Sequence, residues 1–296
     1  MKIQKLFNFR MLLVAVLWLF QSIPVSAQLN QKSLLWEISG NGLKQKSYLF
    51  GTIHIISKKE FFLTDVMKEK FKSCDALATE VNMDIPLGEQ LKMAQSALLP
   101  ESHTIEDLIE VSAFEALRSF MIDSLGISKS KFKKYIRLKP FFLSAVLSSK
   151  MSGKVVAYEK VFFKMAKRNH MQTLGLETLE YQMSLVNAVP NDQQAKTLIS
   201  GLGSLSDFRK SEKAMVDAYK DQDIDKLYEF ITSQSSTDKS FEQDFITTRN
   251  HNWVPVIKKM ISEQSTFIAV GAGHLGGPGG MVQLLLKEGY NVTAVQ

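Results

Sequence analysis

Cysteine is almost missing from this chain of 296 residues, and Cys74 is the only one. An intrachain disulfide is therefore excluded, and with it the small disulfide-stapled module. Cys74 stands in "KSCDALATE", just before an apparent strand, and reads as a small buried hydrophobe. Beyond residue 27 no second long apolar run follows, which argues against a membrane-spanning bundle. No repeat of fixed period, no low-complexity tract and no linker divides the chain. Charge of one sign is also scarce. The formal net charge is +6, or about +3 without the three basic residues of the leader described next. That excess reads as modest and spread out, with no basic stripe interleaved with aromatics, so nucleic acid is not an expected partner.

The first 27 residues have the build of a secretory leader. Lys2, Lys5 and Arg10 precede an apolar stretch, Met11–Phe20, and Val25-Ser26-Ala27 has the small-residue shape of a signal peptidase site. The apolar stretch is shorter than the roughly 20 residues a membrane-spanning helix needs. Residues 1–27 are therefore expected to be cleaved, leaving Gln28 as the new N-terminus. No cysteine lies at that point to carry a lipid. The mature chain, 28–296, is expected to be one domain in the periplasm or medium, with no stable membrane span.

Strand-like segments gather near the two ends of the mature chain. Leu34–Ile38 and Ser47–Phe50 flank "SGNGLKQK" and read as a hairpin. Asp75–Val81, Thr173–Leu176, Thr266–Val270 and Asn291–Val295 read as further strands. The middle is helical. Thr104 and Asp107 form a capping-box pattern opening "IEDLIEVSAFEALRSFM". Helical spacing also marks Val155–Lys167, Asn191–Leu202, Phe208–Tyr219 and Phe241–Ile261, the last with Pro255 as an expected kink or restart. The fold class is α/β: a central mixed sheet flanked by helices, with a helical insertion.

Two short stretches share one shape. Tyr48–Ile55 reads "YLFGTIHI" and Ile268–Leu275 reads "IAVGAGHL". Each is an apolar strand, a glycine, two residues, then histidine. Composition alone yields about 0.3 such matches by chance, so two, both at strand ends, point to a site. Ligands of α/β sheets bind at strand ends. Glycine permits a sharp turn there, and neutral imidazole is a common metal ligand. Gly271, Gly273 and Gly276 also match the spacing of a dinucleotide fingerprint. No acid follows at the end of the last strand to hold a ribose, so a nucleotide is not expected. Pro278 reads as the first residue of a helix that Gly289 ends. The loop before it offers backbone N–H groups to an anionic oxygen.

A hydrolytic metal site also needs carboxylates, as ligand or as general base. Glu80 ends "DALATE" and Glu177 ends "TLGLE", both at strand ends, where a carboxylate is costly to bury unless paired or metal-bound. Arg249, in "FITTRNHNW", is a cation placed to face that acidic cluster or a developing oxyanion. His103, His170 and His251 are left outside the site.

In order along the chain, "YLFGTIHI", "ATEVN", "LPESHTIEDLI", "LGLETLEYQ", "TTRNHNW" and "VGAGHLGGPGGMVQLLLKEGY" resemble the successive blocks of the TraB/GumN family, which includes the TIKI metalloproteases. The resemblance covers essentially the whole mature chain. It implies a fold similar to the erythromycin esterase and ChaN group, and proteolysis with a divalent ion such as manganese or cobalt, zinc being possible. Carried over by residue, it marks Gly51, His54, Gly271 and His274, the acids Glu80 and Glu177, and the pair Arg249 and Asn250. Where relatives often have Gly-x-Asp, this chain has Ala157-Tyr158-Glu159, a change expected to alter a helix start and leave the chemistry alone.

The reading is an exported metal-dependent hydrolase acting on a peptide or protein substrate. His54 and His274 would bind the ion with Glu80 or Glu177, the other glutamate acting as base. Arg249 and the Gly271–Gly277 backbone would hold the oxyanion. Two other readings stand beside it: a non-catalytic protein that binds a small ligand, haem or a peptide in the same cleft, and a metal-free esterase with histidine as base. The sequence sets neither the substrate nor the oligomeric state.

Overall fold

The computed structural model describes residues 31–203, 205–233 and 243–296. The expected leader lies outside the described residues, as do Phe241 and Glu242 at the start of one expected helix. The architecture is α/β, a mixed central sheet flanked by helices.

In chain order the strands are β1 (Leu35–Ser39), β2 (Ser47–Thr52), β3 (Ile55–Ser57), β4 (Ala76–Val81), β5 (Val155–Ala157), β6 (Gln172–Glu177), β7 (Thr266–Gly271) and β8 (Asn291–Ala294). Six form one sheet in the order β6-β4-β7-β2-β1-β8. β6, β4, β7 and β2 run parallel, while β1 is antiparallel to both neighbours. β2 and β7 are buried at every position. Their near-continuous apolar runs follow from that burial, since helices cover both faces of a parallel sheet. The expected β1–β2 hairpin is present, with Gly40, Asn41 and Gly42 all at positive φ in its turn. Cys74 is free and buried.

The helices are α1 (Asp65–Lys72), α2 (Leu87–Ser96), α3 (Val111–Ser119), α4 (Lys129–Tyr135), α5 (Pro140–Met151), α6 (Tyr158–Arg168), α7 (Leu179–Ala188), α8 (Asn191–Ser200), α9 (Leu205–Lys220), α10 (Ile224–Ser233), α11 (Thr248–Glu263) and α12 (Met281–Lys287). The sheet and the helices against it share one core that includes Trp36, Phe50, Phe162, Trp253 and Phe267. Helices α3, α4, α5 and α8 bury a separate cluster around Leu117, Met121, Phe132 and Leu143. Among the described residues no helix is long and apolar enough to cross a membrane.

Four expectations change. Val155–Ala157 is a strand paired with β3, not the start of a helix, and α6 begins at Tyr158. A three-residue β-branched run ahead of a helix fits either period, and tertiary pairing decides it. Thr104 and Asp107 open only a short helical turn, Ile105–Leu108, before the chain extends and α3 begins at Val111. α11 runs through Pro255 without a break. Pro278 lies in a turn, and α12 starts three residues later, at Met281.

Candidate functional site

Four parallel neighbours, β6, β4, β7 and β2, deliver the site from their C-terminal ends. β6 ends at Glu177, and Glu80 is the last residue but one of β4. β7 runs into the turn Ala272–His274, and His54 follows β2 by two residues. The two Gly-x-x-His turns lie side by side, because Thr52 is paired with Gly271 across β2 and β7. The glycines are needed for space. Gly271 has an ordinary φ of −54°, but a Cβ there would stand 3.1 Å from His54 Nε2 and 3.5 Å from Glu80 Oε1. A Cβ on Gly51 would stand 3.0 Å from that of Ala272.

Each imidazole is held from behind. Asn250 Nδ2 donates to the carbonyls of His274 and Gly279, so its Oδ1 is the acceptor that faces His274 Nδ1 at 2.8 Å. His274 therefore carries a proton on Nδ1 and leaves the Nε2 lone pair toward the site. His54 Nδ1 lies 2.9 Å from Glu159 Oε1, which also accepts from the Thr52 hydroxyl at 2.7 Å. Both Nε2 atoms converge on one oxygen: His54 Nε2 is 3.8 Å and His274 Nε2 3.9 Å from Glu80 Oε1.

Arg249, on α11, ties the acids together. Its Nη2 donates to Glu80 Oε2 at 2.6 Å and to Glu177 Oε1 at 2.7 Å. Nε reaches both oxygens of Glu177, and Nη1 reaches the Phe245 carbonyl and His274 Nε2. The guanidinium stacks on Trp253, 4.6 Å from its ring centre. Trp253 Nε1 donates to Glu177 Oε2, and Gln182 donates to both glutamates. All five guanidinium N–H groups thus have acceptors, and both Glu177 oxygens are engaged. The side chains of Arg249, Glu80, Glu177 and His274 are at most 10 % exposed, whereas that of His54 is 62 % exposed and forms the mouth.

The charges follow from these contacts. Burial alone would raise the Glu80 pKa, but His54, His274, Arg249 and the Gly271 N–H outweigh it and hold the carboxyl well below its usual range. Burial pushes His274 down to about 3, so this ring is neutral at pH 7. Packing also disfavours charge on His54, yet the hydrogen bond that Nδ1–H donates to Glu159 and the charges of Glu80 and Glu159 push it up to about 9. Without an ion, His54 is the cation at the mouth.

The sequence pattern pointed to His54, His274, Glu80, Glu177 and Arg249, and the structure brings all five together. The Gly271–Gly277 loop differs from expectation. Gly277 N–H is already donated to Asp225, and Gly276 packs against the backbone of Ile224, so α10 covers this stretch. Glu159, Gln182 and Trp253 were missed. Glu159 stands in the first turn of α6, where the β3–β5 pairing of Ile55 with Ala157 sets it beside His54. The Ala157-Tyr158-Glu159 variation thus lies within the site.

Among the described residues no group of three His, Cys, Asp or Glu side chains is already set around a point at ligand distances. The donor set nonetheless suits a divalent cation. Once His54 has given up its proton, two imidazole Nε2 atoms lie about equally far from one carboxylate oxygen, and a Cβ on Gly271 would crowd that oxygen and His54 Nε2. Ligands at about 2.0–2.2 Å from an ion lie roughly 3.4 Å apart in tetrahedral geometry, a few tenths of an ångström less than the 3.8 and 3.9 Å from each Nε2 to Glu80 Oε1.

A sequence profile described as the TraB/PrgY/gumN family matches residues 34–294. Two relatives from Danio rerio, named Metalloprotease TIKI2 and Metalloprotease TIKI1, are 21% and 22% identical over 91% and 90% of this chain. The chain spans only 62% and 63% of their lengths. A Metalloprotease TIKI homolog from Amphimedon queenslandica is 22% identical over 99% of this chain and 68% of its own. No solved structure matches.

Proposed function

The chain belongs to the TraB/PrgY/gumN family, and from that premise we propose that it is a divalent-metal-dependent hydrolase acting on peptide bonds. The observation that carries this reading is the convergence of His54 Nε2 and His274 Nε2 on Glu80 Oε1, each ring held through Nδ1. Relatives named metalloproteases support the same chemistry. His54, His274 and Glu80 would hold the ion; imidazole and carboxylate donors suit zinc, cobalt and manganese. Such an ion supplies Lewis acidity, acidifying water and polarising a carbonyl.

The remaining groups position and neutralise. Glu177 anchors Arg249, since its oxygens already accept from Arg249, Gln182 and Trp253. This role replaces ligand or base. Arg249 Nη1 shares His274 Nε2 as an acceptor; with that nitrogen engaged as a ligand, this N–H would be available to stabilise negative charge on a substrate oxygen. Glu159 and Asn250 orient the two rings, as carboxylate and amide partners of ligating histidines do. Secretion through residues 1–27 would put this activity in the periplasm or medium.

Elemental analysis of the purified mature protein tests the reading, with a peptide library incubated with manganese or cobalt. Wild type should carry a stoichiometric ion and cleave. His54→Ala should do neither, and chelation should stop cleavage. Cleavage that persists after chelation would replace this mechanism by a metal-free one. Absence of both ion and cleavage would favour a binding protein.

A further inference from the structure

The positive excess is not spread out as expected but concentrated in the helical layer. From residue 124 to residue 158 the sequence has no acid but eight basic residues, six of them between Lys129 and Lys139. Those eight exceed the +6 of the entire chain, so everything outside this segment is net negative. α4 lies within it and buries Phe132 in the helical cluster. Lys129, Lys133, Lys134 and Arg137 line one open depression of about 480 Å³ with Ser130. None of these four cations has an ion-pair partner among the described residues. Arg137 Nε is buried without a hydrogen-bond partner.

The same helical layer carries exposed apolar side chains. α2 buries none of its residues, and Leu87 and Leu91 on it are 69 % and 58 % exposed. Phe141, at the start of α5, is 40 % exposed. The segment that follows α2 is hydrogen-bonded to the one that follows α4: Leu99 N–H donates to the Arg137 carbonyl, and Lys139 N–H to that of Ala97.

We propose that this face, built on Lys129, Lys133, Lys134 and Arg137 with Leu87, Leu91 and Phe141 beside it, docks the protein onto a bilayer of anionic phosphate headgroups. Cations without partners repel one another until an external anion neutralises them. Three of the four are lysines, mobile point charges suited to a diffuse anionic surface and less to the bidentate recognition of a single phosphate group. Phe132 and Tyr135 pack into the core, so among the described residues Phe141 is the one exposed aromatic on this face, short of the series of aromatics on which successive bases stack. Basic side chains next to exposed apolar ones match a headgroup layer over acyl chains.

Vesicle sedimentation with the full mature protein decides it. Phosphatidylcholine vesicles containing phosphatidylglycerol should bind the protein, and phosphatidylcholine alone should not. High salt should release it. Each lysine near an anionic surface contributes roughly fivefold in affinity. Changing Lys129, Lys133 and Lys134 together to Gln should therefore weaken binding about 100-fold. Leu91→Ser with Phe141→Ser should weaken it further. Thermal unfolding should be unchanged, because these side chains are exposed. Changing Lys58, Lys59 and Lys259 to Gln should leave binding intact. Equal losses in both lysine triplets would overturn the proposal, as would no preference for anionic vesicles. Competition by inorganic phosphate at the headgroup concentration would instead reveal a discrete anion site. Equal binding to a DNA duplex, lost in the same variant, would overturn the choice of a bilayer.

Discussion

Changing Glu159 to Gln keeps an acceptor beside His54 Nδ1 and the Thr52 hydroxyl but removes one negative charge. Two consequences for ion binding oppose each other. His54 is pushed up to about 9 in the ion-free protein, largely by Glu159 and Glu80 against the cost of packing. At pH 7 a group of that pKa is about 99% protonated, so an ion must displace a proton, lowering apparent affinity about 100-fold. Glu159→Gln should bring the ring toward its ordinary value of about 6.5 and remove most of that factor. Against this gain, loss of a charged partner behind a ligating histidine costs about 10–100-fold.

Near pH 7 the two effects should nearly cancel. Near pH 9 proton competition in the wild type shrinks to about twofold, and only the loss remains. The variant should therefore bind its ion about as tightly as wild type at pH 7 and about 10–100-fold more weakly at pH 9. Competition against a chelating dye at the two pH values measures this, and the His54 ring proton shift in the ion-free protein reports its pKa directly. An equal ratio at both pH values would show that no proton sits on His54. Wild-type affinity at pH 9 would show that Glu159 does not hold the ligand.

Arg249→Met leaves Glu80 and Glu177 buried without their cation and should destabilise by about 3–5 kcal/mol; an unchanged urea midpoint would contradict that. His54→Ala, at the exposed mouth, should change the stability of the ion-free protein by no more than about 1 kcal/mol while abolishing retention of an ion. Both are read from unfolding curves with chelator and from elemental analysis. The ion-free protein should be most stable near pH 6.5. Above that value, unfolded His54 releases its proton while the folded ring keeps it to about 9, so the stabilisation is lost as pH rises through that range. Below it, unfolded His274 gains a proton that the folded ring refuses down to about 3, so stability falls as pH falls. Glu80, depressed in the fold, adds a further loss at low pH. A melting temperature flat from pH 5 to pH 9 would contradict both histidine assignments.

The middle of the sheet was legible because β2, β4 and β7 are buried on both faces and so carry nearly uninterrupted apolar runs. Each of the six expected strands is present, with ends shifted by no more than two residues. Parallel strands place like ends together, so Glu80, Glu177 and the two Gly-x-x-His turns had to emerge on one side once the sheet existed. β3 and β5 were not legible. Three residues carry no period, and their pairing joins segments about a hundred positions apart. Glu159 reaches His54 only through that pairing, which is why its letter looked like a change at a helix start.

Partner assignment at the atomic level was the second thing hidden. A sequence places Arg249 near two acids, but it does not count the five N–H groups or say which oxygens take them. Once they are counted, Glu177 has no free oxygen and Arg249 no free donor until His274 Nε2 gives up its share. The glycines show the same limit. Their spacing suggested a sharp turn, yet Gly271 has a φ open to any residue. What a side chain there would remove is the space between His54 Nε2 and Glu80 Oε1. The Gly-x-x-His repeat is thus a statement about distance. Gly271 keeps clear the space beside His54 Nε2 and Glu80 Oε1, and the strand pairing of Thr52 with Gly271 sets the two turns side by side.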